Sequence, residues 1–354
     1  MPAEFERHSG CWLLWPERPD TWRHGAKNAQ PAFAEIARAI AVSGREPVTV
    51  GVSAAQYENA RARLDPAVRV VELSSNDAWV RDCGPTVLVD ARGRRRAIQW
   101  QFNAWGGLNG GAYFPWDRDA EVAQKILEIE GIDRYLAPLV LEGGSIHVDG
   151  QGTCLTTEEC LLNPNRNPHL SRSEIEALLR RFLGVSTVIW LGKGVFGDET
   201  SGHIDNLACF TSPGHVVLTW TDDRRDPQYE ISQDALRRLR LARDARGRKL
   251  EVHRIHQPGL LTMSAAEAAG IDAQPGTRVR SAGDRLSGSY VNFYIANRAV
   301  VMPLLDKRRD GAARRALQRL FPSREVIGVQ SREVLLGGGN IHCITQQIPR
   351  PRAA

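Results

Sequence analysis

One segment of the sequence carries a potential nucleophile, and another carries a potential proton-transfer pair. In the run LLGGGNIHCIT, three glycines lead into Cys343, which lies on a predicted short strand next to His342; the glycines let a ligand approach the backbone closely. A thiol in such a setting is a candidate nucleophile. The run GDETSGHIDNLACF places His203 and Asp205 two residues apart at a predicted strand start, so both side chains face the same way. An imidazole beside a carboxylate suits general acid–base catalysis.

Two further segments carry carboxylates next to turn-forming residues. Asp82 lies in SSNDAWVRDCGP, and Glu142 lies in LEGGS immediately before paired glycines. Taken singly, each candidate also has a structural interpretation. Asp82 could cap amides in a turn, and Glu142 could be an exposed acid in a tight turn. His203 could be a structural or metal-binding histidine, and Cys343 could be an ordinary core cysteine.

The elements between these segments repeat a ββαβ pattern. Short apolar or alternating runs pair through turns like β-hairpins. Four predicted hairpins span residues 86–102, 145–162, 206–220 and 291–305, and a fifth would combine residues 342–345 with residues 10–15. A segment with helical apolar spacing follows each hairpin, and a short β-branched run follows each helix. The predicted helices span residues 31–42, 120–129, 173–183, 232–242 and 311–321, and the β-branched runs include residues 48–52, 187–191, 252–255 and 326–329.

This repetition indicates about five ββαβ units in a radial or stacked array. An internal repeat supports it, because LEGGSIHVDG resembles LGGGNIHCIT and places His147 and His342 at equivalent positions. Since the last unit would be built from both ends of the chain, we predict a single domain spanning residues 1–354. The loops between the units would then gather at one central channel, which would bring the four chemistry-bearing segments together.

Composition and charge restrict the class of protein. The chain has 354 residues, 42% apolar and 25% charged, which is typical of an ordinary globular protein. No apolar run approaches the length of a membrane span, and the N-terminus does not resemble a signal peptide. The six cysteines contain no C-x-x-C pair, so free thiols in the cytoplasm are expected, with no membrane partner.

The net charge of +5 raises the question of nucleic-acid binding. Arginines cluster at residues 92–96, 237–240 and 243–249, and such clusters can contact phosphates. These clusters are scattered along the chain and lack interleaved aromatic residues. Solvated surface is therefore the favoured interpretation, and no nucleic-acid partner is predicted.

Taken together, the four loops resemble those of the guanidine-modifying, or pentein, superfamily. Within it the match is to the agmatine deiminases of the Porphyromonas-type peptidylarginine deiminase family. The resemblance covers nearly the whole chain. The motifs that carry it are PAEFERHSGCWLLWPERPDTWR, SNDAWVRDCGPT, FNAWGG, LEGGSIHVDGQGTCLTTEECLLNPNRNP, DETSGHIDN, SYVNFYIAN and GGGNIHCITQQIP.

The resemblance implies a five-bladed α/β propeller with the active site in its central channel. It implies that Cys343 is the nucleophile, that His203 and Glu142 handle protons, and that Asp82 and Asp205 hold the guanidinium group. Carboxylates suit this task because they match the planar donor fork of a guanidinium. The implied reaction needs no metal or organic cofactor, and the family suggests a homo-oligomer.

The other end of a small cationic substrate is expected to meet acidic or aromatic residues. Trp79, Glu199 and Asp198 lie in the motif loops and are the candidates, although framework contacts and turn capping explain Asp198 equally well.

Other functions remain open on the sequence alone. A deiminase of free arginine would need a cationic clamp for the α-carboxylate, and a peptidyl-arginine deiminase would need an open cleft. An amidinotransferase of the same superfamily would pass the amidino group to an amine instead of water. A non-catalytic binder of cations or nucleic acid is a further alternative from a different class.

Overall fold

Five small β-sheets and the helices that connect their strands make up the fold. The structure is a computed structural model, and it describes residues 1–351. The strands are β1 His8–Leu14, β2 Val48–Val52, β3 Arg69–Glu72, β4 Thr86–Val89, β5 Arg95–Gln101, β6 Arg134–Val140, β7 His147–Val148, β8 Thr153–Thr157, β9 Thr187–Leu191, β10 Ala208–Ser212, β11 His215–Trp220, β12 Glu251–His256, β13 Tyr294–Ile295, β14 Ala299–Leu304, β15 Glu325–Gln330 and β16 Gln346–Pro349. The α-helices are α1 Ala29–Arg38, α2 Tyr57–Arg63, α3 Val80–Cys83, α4 Asp119–Glu130, α5 Glu158–Leu161, α6 Arg172–Leu183, α7 Ile204–Leu207, α8 Gln228–Leu241, α9 Ala265–Ala268, α10 Asp310–Leu320 and α11 Arg332–Leu336. A π-helical segment, Ala39–Ser43, continues α1, and 3₁₀ turns cover Ala54–Gln56 and Gly143–Ser145.

Every sheet contains an antiparallel pair followed by a parallel strand. The strand orders are β4-β5-β6, β7-β8-β9, β10-β11-β12 and β13-β14-β15, and the four-stranded sheet is ordered β16-β1-β2-β3. In each sheet a helix joins the central strand to its parallel neighbour, as a parallel connection requires. These helices are α4, α6, α8, α10 and α1. The predicted ββαβ units are confirmed, whereas their arrangement around one axis stays a prediction.

The two ends of the chain meet in the four-stranded sheet. β1 runs antiparallel to β16, with Cys11 opposite Gln347. The terminal strand predicted at residues 342–345 was wrong. Residues 341–344 form a turn, and the strand begins at Gln346. The polar groups of this segment bond locally, since the Thr345 hydroxyl donates back to the Ile341 carbonyl at 2.9 Å.

Helix α6 illustrates how local sequence sets the ends of an element. Ser171 and Glu174 form a reciprocal capping box at the N-terminus of the helix. Gly184 ends it with a φ of 68°, a left-handed conformation that favours glycine. Ile175 and Leu179 lie one helical turn apart and are both buried, so one face of the helix packs into the core.

Two chain-wide features follow from the fold. All six cysteines are buried, and none forms a disulfide within residues 1–351. In the same range, none of the helices combines the length and the apolar character that crossing a membrane would require.

Candidate active site

Five loops that precede the first strand of each antiparallel pair carry the polar residues of the site. Asp82 lies on α3 before β4, Glu142 precedes β7, and Asp205 lies on α7 before β10. Asn292 precedes β13, and Cys343 lies in the turn before β16. Four of these loops were predicted from the sequence, whereas a role for the fifth, which carries Asn292, was not. The available signal was the asparagine in SYVNFYIAN, which occupies the position equivalent to the other four.

The Cys343 thiol is buried and faces two polar side chains. Its Sγ lies 3.6 Å from Oδ2 of Asp205 and accepts a hydrogen bond from Nδ2 of Asn292 at 3.3 Å. Burial raises the pKa of the thiol well above its usual range, and the carboxylates of Asp205 and Asp82 raise it further. The free protein therefore holds a neutral thiol at Cys343. A cation bound nearby would favour the thiolate, which is the nucleophilic form.

His203 lies between two carboxylates. Its Nε2 is 3.4 Å from Oε2 of Glu142, and its Nδ1 is 3.8 Å from Oδ2 of Asp82. Burial favours the neutral ring, but Asp82, Cys160 and Glu142 outweigh it and raise the pKa of His203 well above its usual value. His203 is therefore protonated at neutral pH, and it can act as a proton donor.

The segment that follows His203 is a short helix, whereas a strand start was predicted. Ile204–Leu207 forms α7, and Asp198 fixes its entry by accepting a hydrogen bond from the His203 amide at 2.9 Å. The prediction that this segment is extended was therefore wrong. Nevertheless, both side chains reach the same point, since an ideal Cβ on Gly144 would lie 2.6 Å from Nδ1 of His203 and 3.0 Å from Oδ2 of Asp205.

A buried arginine holds Glu142. Nε of Arg166 donates to Oε1 of Glu142 at 2.7 Å, and both side chains are fully buried. Burial would raise the pKa of Glu142, but Arg166 and His203 lower it to about 2. Glu142 is thus an ionised, fixed carboxylate, and the alternative of an exposed turn residue is excluded. Arg166 lies in the NPNRNP motif, and its role was not predicted from the sequence.

We expect Arg166→Met to destabilise the fold strongly, because the Glu142 carboxylate would stay buried without its partner. Removing one partner of a buried ion pair costs about 3–5 kcal/mol. Arg180→Met is the matched control, since the pair between Arg180 and Glu176 is half-exposed, and such pairs contribute at most about 1 kcal/mol. Urea unfolding followed by circular dichroism gives both free energies. Equal losses for the two variants would contradict the assignment.

Asp82 and Asp205 form a pair of carboxylates beside the thiol. Asp82 accepts hydrogen bonds from the Gly144 amide at 2.9 Å and from the Trp105 indole at 2.8 Å. Oδ2 of Asp205 lies 2.8 Å from Nδ1 of His342, while its Oδ1 is buried and has no hydrogen-bond partner within residues 1–351. Burial raises the pKa of Asp82 to about 6. A planar cation with several N–H donors would satisfy these oxygens.

The remaining predicted contacts, Trp79 and Glu199, line a narrow cavity that reaches Cys343. The indole of Trp79 donates to Oδ2 of Asp77 at 3.0 Å, so its ring is fixed as a wall of the cavity. Glu199 pairs with Arg280 at 2.6 Å, and Arg280 lines the same cavity. The site therefore contains both of these residues. The cavity wall thus includes an ion pair between Glu199 and Arg280, and Arg278 lies 3.8 Å from the same carboxylate.

The fold and the site are those of the guanidine-modifying class of proteins. The evidence is a buried thiol, an imidazole between two carboxylates and a third carboxylate beside the thiol, all on the loops of five ββαβ units. The family model described as Porphyromonas-type peptidyl-arginine deiminase matches residues 1–349, and the chain belongs to this family. The resemblance inferred from the sequence motifs is confirmed.

Several relatives match along the whole chain. An agmatine deiminase of Ectopseudomonas mendocina is 58% identical over 356 residues, covering 100% of this chain and 96% of the relative. An agmatine deiminase of Pseudomonas aeruginosa strain UCBPP-PA14 is 59% identical with the same coverage. Among solved structures, the agmatine deiminase of Enterococcus faecalis matches with a TM-score of 0.96 at 48% identity, covering 99% of this chain and 96% of that one.

Proposed function

We propose that the protein hydrolyses agmatine to N-carbamoylputrescine and ammonia. The observation that carries the proposal is the buried Cys343 thiol beside the carboxylates of Asp82 and Asp205, with protonated His203 close to both aspartates. This set can bind a planar cation and attack its central carbon. Relatives with 58% and 59% identity are agmatine deiminases. Because hydrolysis of the ureido product would give putrescine, we place the reaction in putrescine supply.

Substrate binding prepares the nucleophile. The guanidinium lies between Asp82 and Asp205, where the free Oδ1 of Asp205 accepts one of its N–H groups. Its positive charge lowers the pKa of Cys343, so the thiol releases its proton to solvent water when the substrate binds. The cost of burying these carboxylates is offset only by a cation. The site thereby selects against neutral amides.

The first half of the reaction expels ammonia. The Cys343 thiolate attacks the guanidinium carbon and forms a neutral tetrahedral adduct. The His203 imidazolium donates its proton to one amino nitrogen, and the C–N bond breaks to release ammonia. A covalent S-alkylthiouronium remains on the sulfur, and its positive charge stays between the two aspartates. His203 is now neutral.

The second half consumes water. Neutral His203 removes a proton from a water molecule as the water oxygen attacks the thiouronium carbon. The new tetrahedral adduct loses its hydroxyl proton, the C–S bond breaks, and the ureido product leaves. Cys343 regains a proton, and His203 is again an imidazolium. Glu142, fixed by Arg166, orients His203 through both halves.

For the ammonium end of agmatine we propose Glu199 as the acidic partner and Trp79 as the wall along the aliphatic chain. Both line the cavity that reaches Cys343. Glu199 is tied to Arg280 in the free protein, so the substrate ammonium would share or replace that contact. Arg280 is the observation that favours the second candidate function, because a cationic side chain in this cavity could hold the α-carboxylate of free arginine.

Ammonia release with three substrates tests the proposed function. Purified protein is assayed in parallel with agmatine, free arginine and a blocked arginine peptide. We expect release from agmatine with a kcat/KM at least about 100-fold above that for arginine, since burying the α-carboxylate beside Glu199 is unfavourable. Preferred release from arginine would establish the second candidate. Release from none of the three by folded protein would exclude the hydrolase.

The pH dependence of agmatine hydrolysis gives a further prediction. The pKa of Asp82 in the free protein is about 6, and a protonated Asp82 cannot hold the guanidinium. Because kcat/KM reports the ionisations of the free enzyme, it should fall as the pH drops below about 6. The bound cation lowers the pKa of Asp82, so the acidic limb of kcat should lie at a lower pH. If the acidic limbs of kcat and kcat/KM fell at the same pH, the assignment of the limb to Asp82 would be contradicted.

Three broader features are also proposed. We infer one catalytic domain over residues 1–354, since β1 and β16 join the two ends of the chain in one sheet. Six buried thiols without a disulfide within residues 1–351 support a reducing, cytoplasmic location. The homo-oligomer suggested by the family is tested by light scattering during gel filtration, where a monomer mass would exclude it.

A further inference from the structure

A row of buried charged side chains lies behind Asp205, one of the two carboxylates proposed to bind the substrate. Nδ1 of His342 is 2.8 Å from Oδ2 of Asp205, and Nε2 of His342 is 2.8 Å from Oε2 of Glu4. The three residues are 1%, 4% and 4% exposed. A carboxylate only accepts hydrogen bonds, so both ring nitrogens must carry a proton for both contacts to form. The geometry therefore assigns an imidazolium to His342.

The surroundings of the row fix its far end. Glu4 also accepts hydrogen bonds from Nη2 of Arg81 at 3.3 Å and from the Ile295 amide at 2.9 Å. Arg81 in turn donates to the His342 carbonyl at 3.2 Å. Within residues 1–351, the other titratable groups near His342 and Asp205 are His147, His203, Cys343, Asp82, Cys209 and Asp198. Glu4 is thus anchored from three sides, and His342 cannot turn away from Asp205.

We propose that His342 and Glu4 are positioning residues that keep Asp205 ionised and hold its free Oδ1 toward the guanidinium. The inference rests on the proposed agmatine hydrolysis for its assay. Three carboxylates, Asp82, Glu142 and Asp205, crowd this site, and mutual repulsion in a buried setting favours protonation of some of them. An imidazolium in contact with Asp205 is the group that opposes this. The sequence analysis noted His342 only as a repeat position.

The electrostatics of the row agree with this role. Burial alone would raise the pKa of Asp205, but the hydrogen bond and charge of His342 bring it below its usual value. Burial and Arg81 lower the pKa of His342, whereas Glu4 and Asp205 raise it by more. Without the imidazolium, Asp205 would be protonated at a higher pH. Activity would then be lost at low pH and recovered as the pH rises.

His147 provides a matched control within the internal repeat. It occupies the position in LEGGSIHVDG that His342 occupies in LGGGNIHCIT, and its ring lies 6.2 Å from that of His342. Its Nδ1 accepts a hydrogen bond from the Phe210 amide at 3.3 Å. Burial lowers the pKa of His147 to about 4, so this ring is neutral. Replacing it removes a buried imidazole without removing a charge from Asp205.

The test compares kcat/KM for agmatine between pH 5 and pH 9 in His342→Gln, Glu4→Gln and His147→Gln. Loss of an opposite charge in contact shifts a carboxyl pKa by about 1–3 units. Asp82 already sets the wild-type limb at about pH 6, and the pKa of Asp205 starts below its usual value. We therefore expect the acidic limb of His342→Gln to steepen and move upward, with a loss of about 10-fold at pH 5 that shrinks to less than about twofold at pH 9. Glu4→Gln should shift the limb in the same direction by less, and His147→Gln should keep the wild-type profile.

Several outcomes would overturn the proposal. One is a loss in His342→Gln that is the same at every pH, and another is an equal shift in His147→Gln. If circular dichroism shows that His342→Gln is unfolded, the Glu4→Gln variant decides between the two roles. An unshifted acidic limb in Glu4→Gln, or an unfolded Glu4→Gln protein, would assign a purely structural role to both residues. His342→Ala adds an independent arm, since a second cavity borders His342 and Glu4. Imidazole should restore activity there, whereas pyrazole, which is not protonated near neutrality, should not.

Failure of the proposed function would look different. Wild-type protein that acts on arginine but not on agmatine would change the substrate, and the same variants would then be assayed with arginine. Wild-type protein that acts on agmatine with an unshifted His342→Gln profile would overturn only the role of His342 and Glu4.

Discussion

Cys343→Ser is expected to abolish ammonia release from agmatine while the protein stays folded and still binds the substrate. A guanidinium carbon is stabilised by resonance, and a serine hydroxyl beside Asp205 has no base free to remove its proton, because His203 is already protonated. Loss of a nucleophile typically lowers kcat by at least about 10⁴-fold. Ammonia release measures the turnover, and calorimetric titration with agmatine measures binding, which depends on Asp82 and Asp205 instead.

The control separates the nucleophile from a general effect of losing a buried thiol. Cys154 is also fully buried, but it lies in β8 and contacts the carbonyl of its neighbour Leu155. Cys154→Ala should therefore lower stability slightly and leave kcat within about threefold of wild type, since surface and distant core changes rarely reach the site. Acid-quenched wild-type protein should carry the thiouronium adduct on the peptide that contains Cys343. Turnover by Cys343→Ser above 1% of wild type would refute the assignment.

The parts of this site that sequence could predict share one property. Asp82, Glu142, His203 and Cys343 each sit in a loop with glycine or turn residues before a strand, and local patterns identify both the loop and the strand. The ββαβ units follow from the same patterns, because hydrophobic period and turn residues act within a few positions. Prediction failed where the local sequence favours a strand and a helix or turn to a similar degree. The stretches after His203 and around Cys343 became a helix and a turn, since their polar groups bond locally.

The parts that sequence could not predict are contacts between distant segments. Arg166 reaches Glu142 from the loop after α5, and Asn292 reaches Cys343 from the loop before β13. Glu4 reaches His342 from the opposite end of the chain. Each of these residues is an ordinary polar residue in its local context, and its role depends on which buried charge it meets. A buried charge requires a partner, but the sequence does not state which segment provides it.

Gly144→Ala should lower kcat/KM for agmatine by at least about 100-fold, because misplacing reacting groups by about 1 Å costs this much. An ideal Cβ on Gly144 would lie 2.6 Å from Nδ1 of His203, 2.8 Å from Oδ1 of Asp82 and 3.0 Å from Oδ2 of Asp205. Its φ lies outside the left-handed region, so the backbone itself tolerates alanine. The methyl group would therefore push apart the two aspartates proposed to bind the guanidinium and the histidine proposed to donate a proton to the leaving nitrogen.

The matching control is Gly131→Ala at the end of α4. A Cβ there would meet no atom within 4 Å, but its φ of 64° is left-handed, so alanine adds backbone strain. That strain costs about 1–2 kcal/mol, which lowers the melting temperature without moving the site. Gly144→Ala should lose a comparable or larger amount of stability, about 1–3 kcal/mol from overpacking, but it should also show a large loss of turnover. If Gly144→Ala kept wild-type kcat/KM, His203 and the two aspartates could yield to a methyl group without consequence, and the geometry described here would not be the one that catalysis requires.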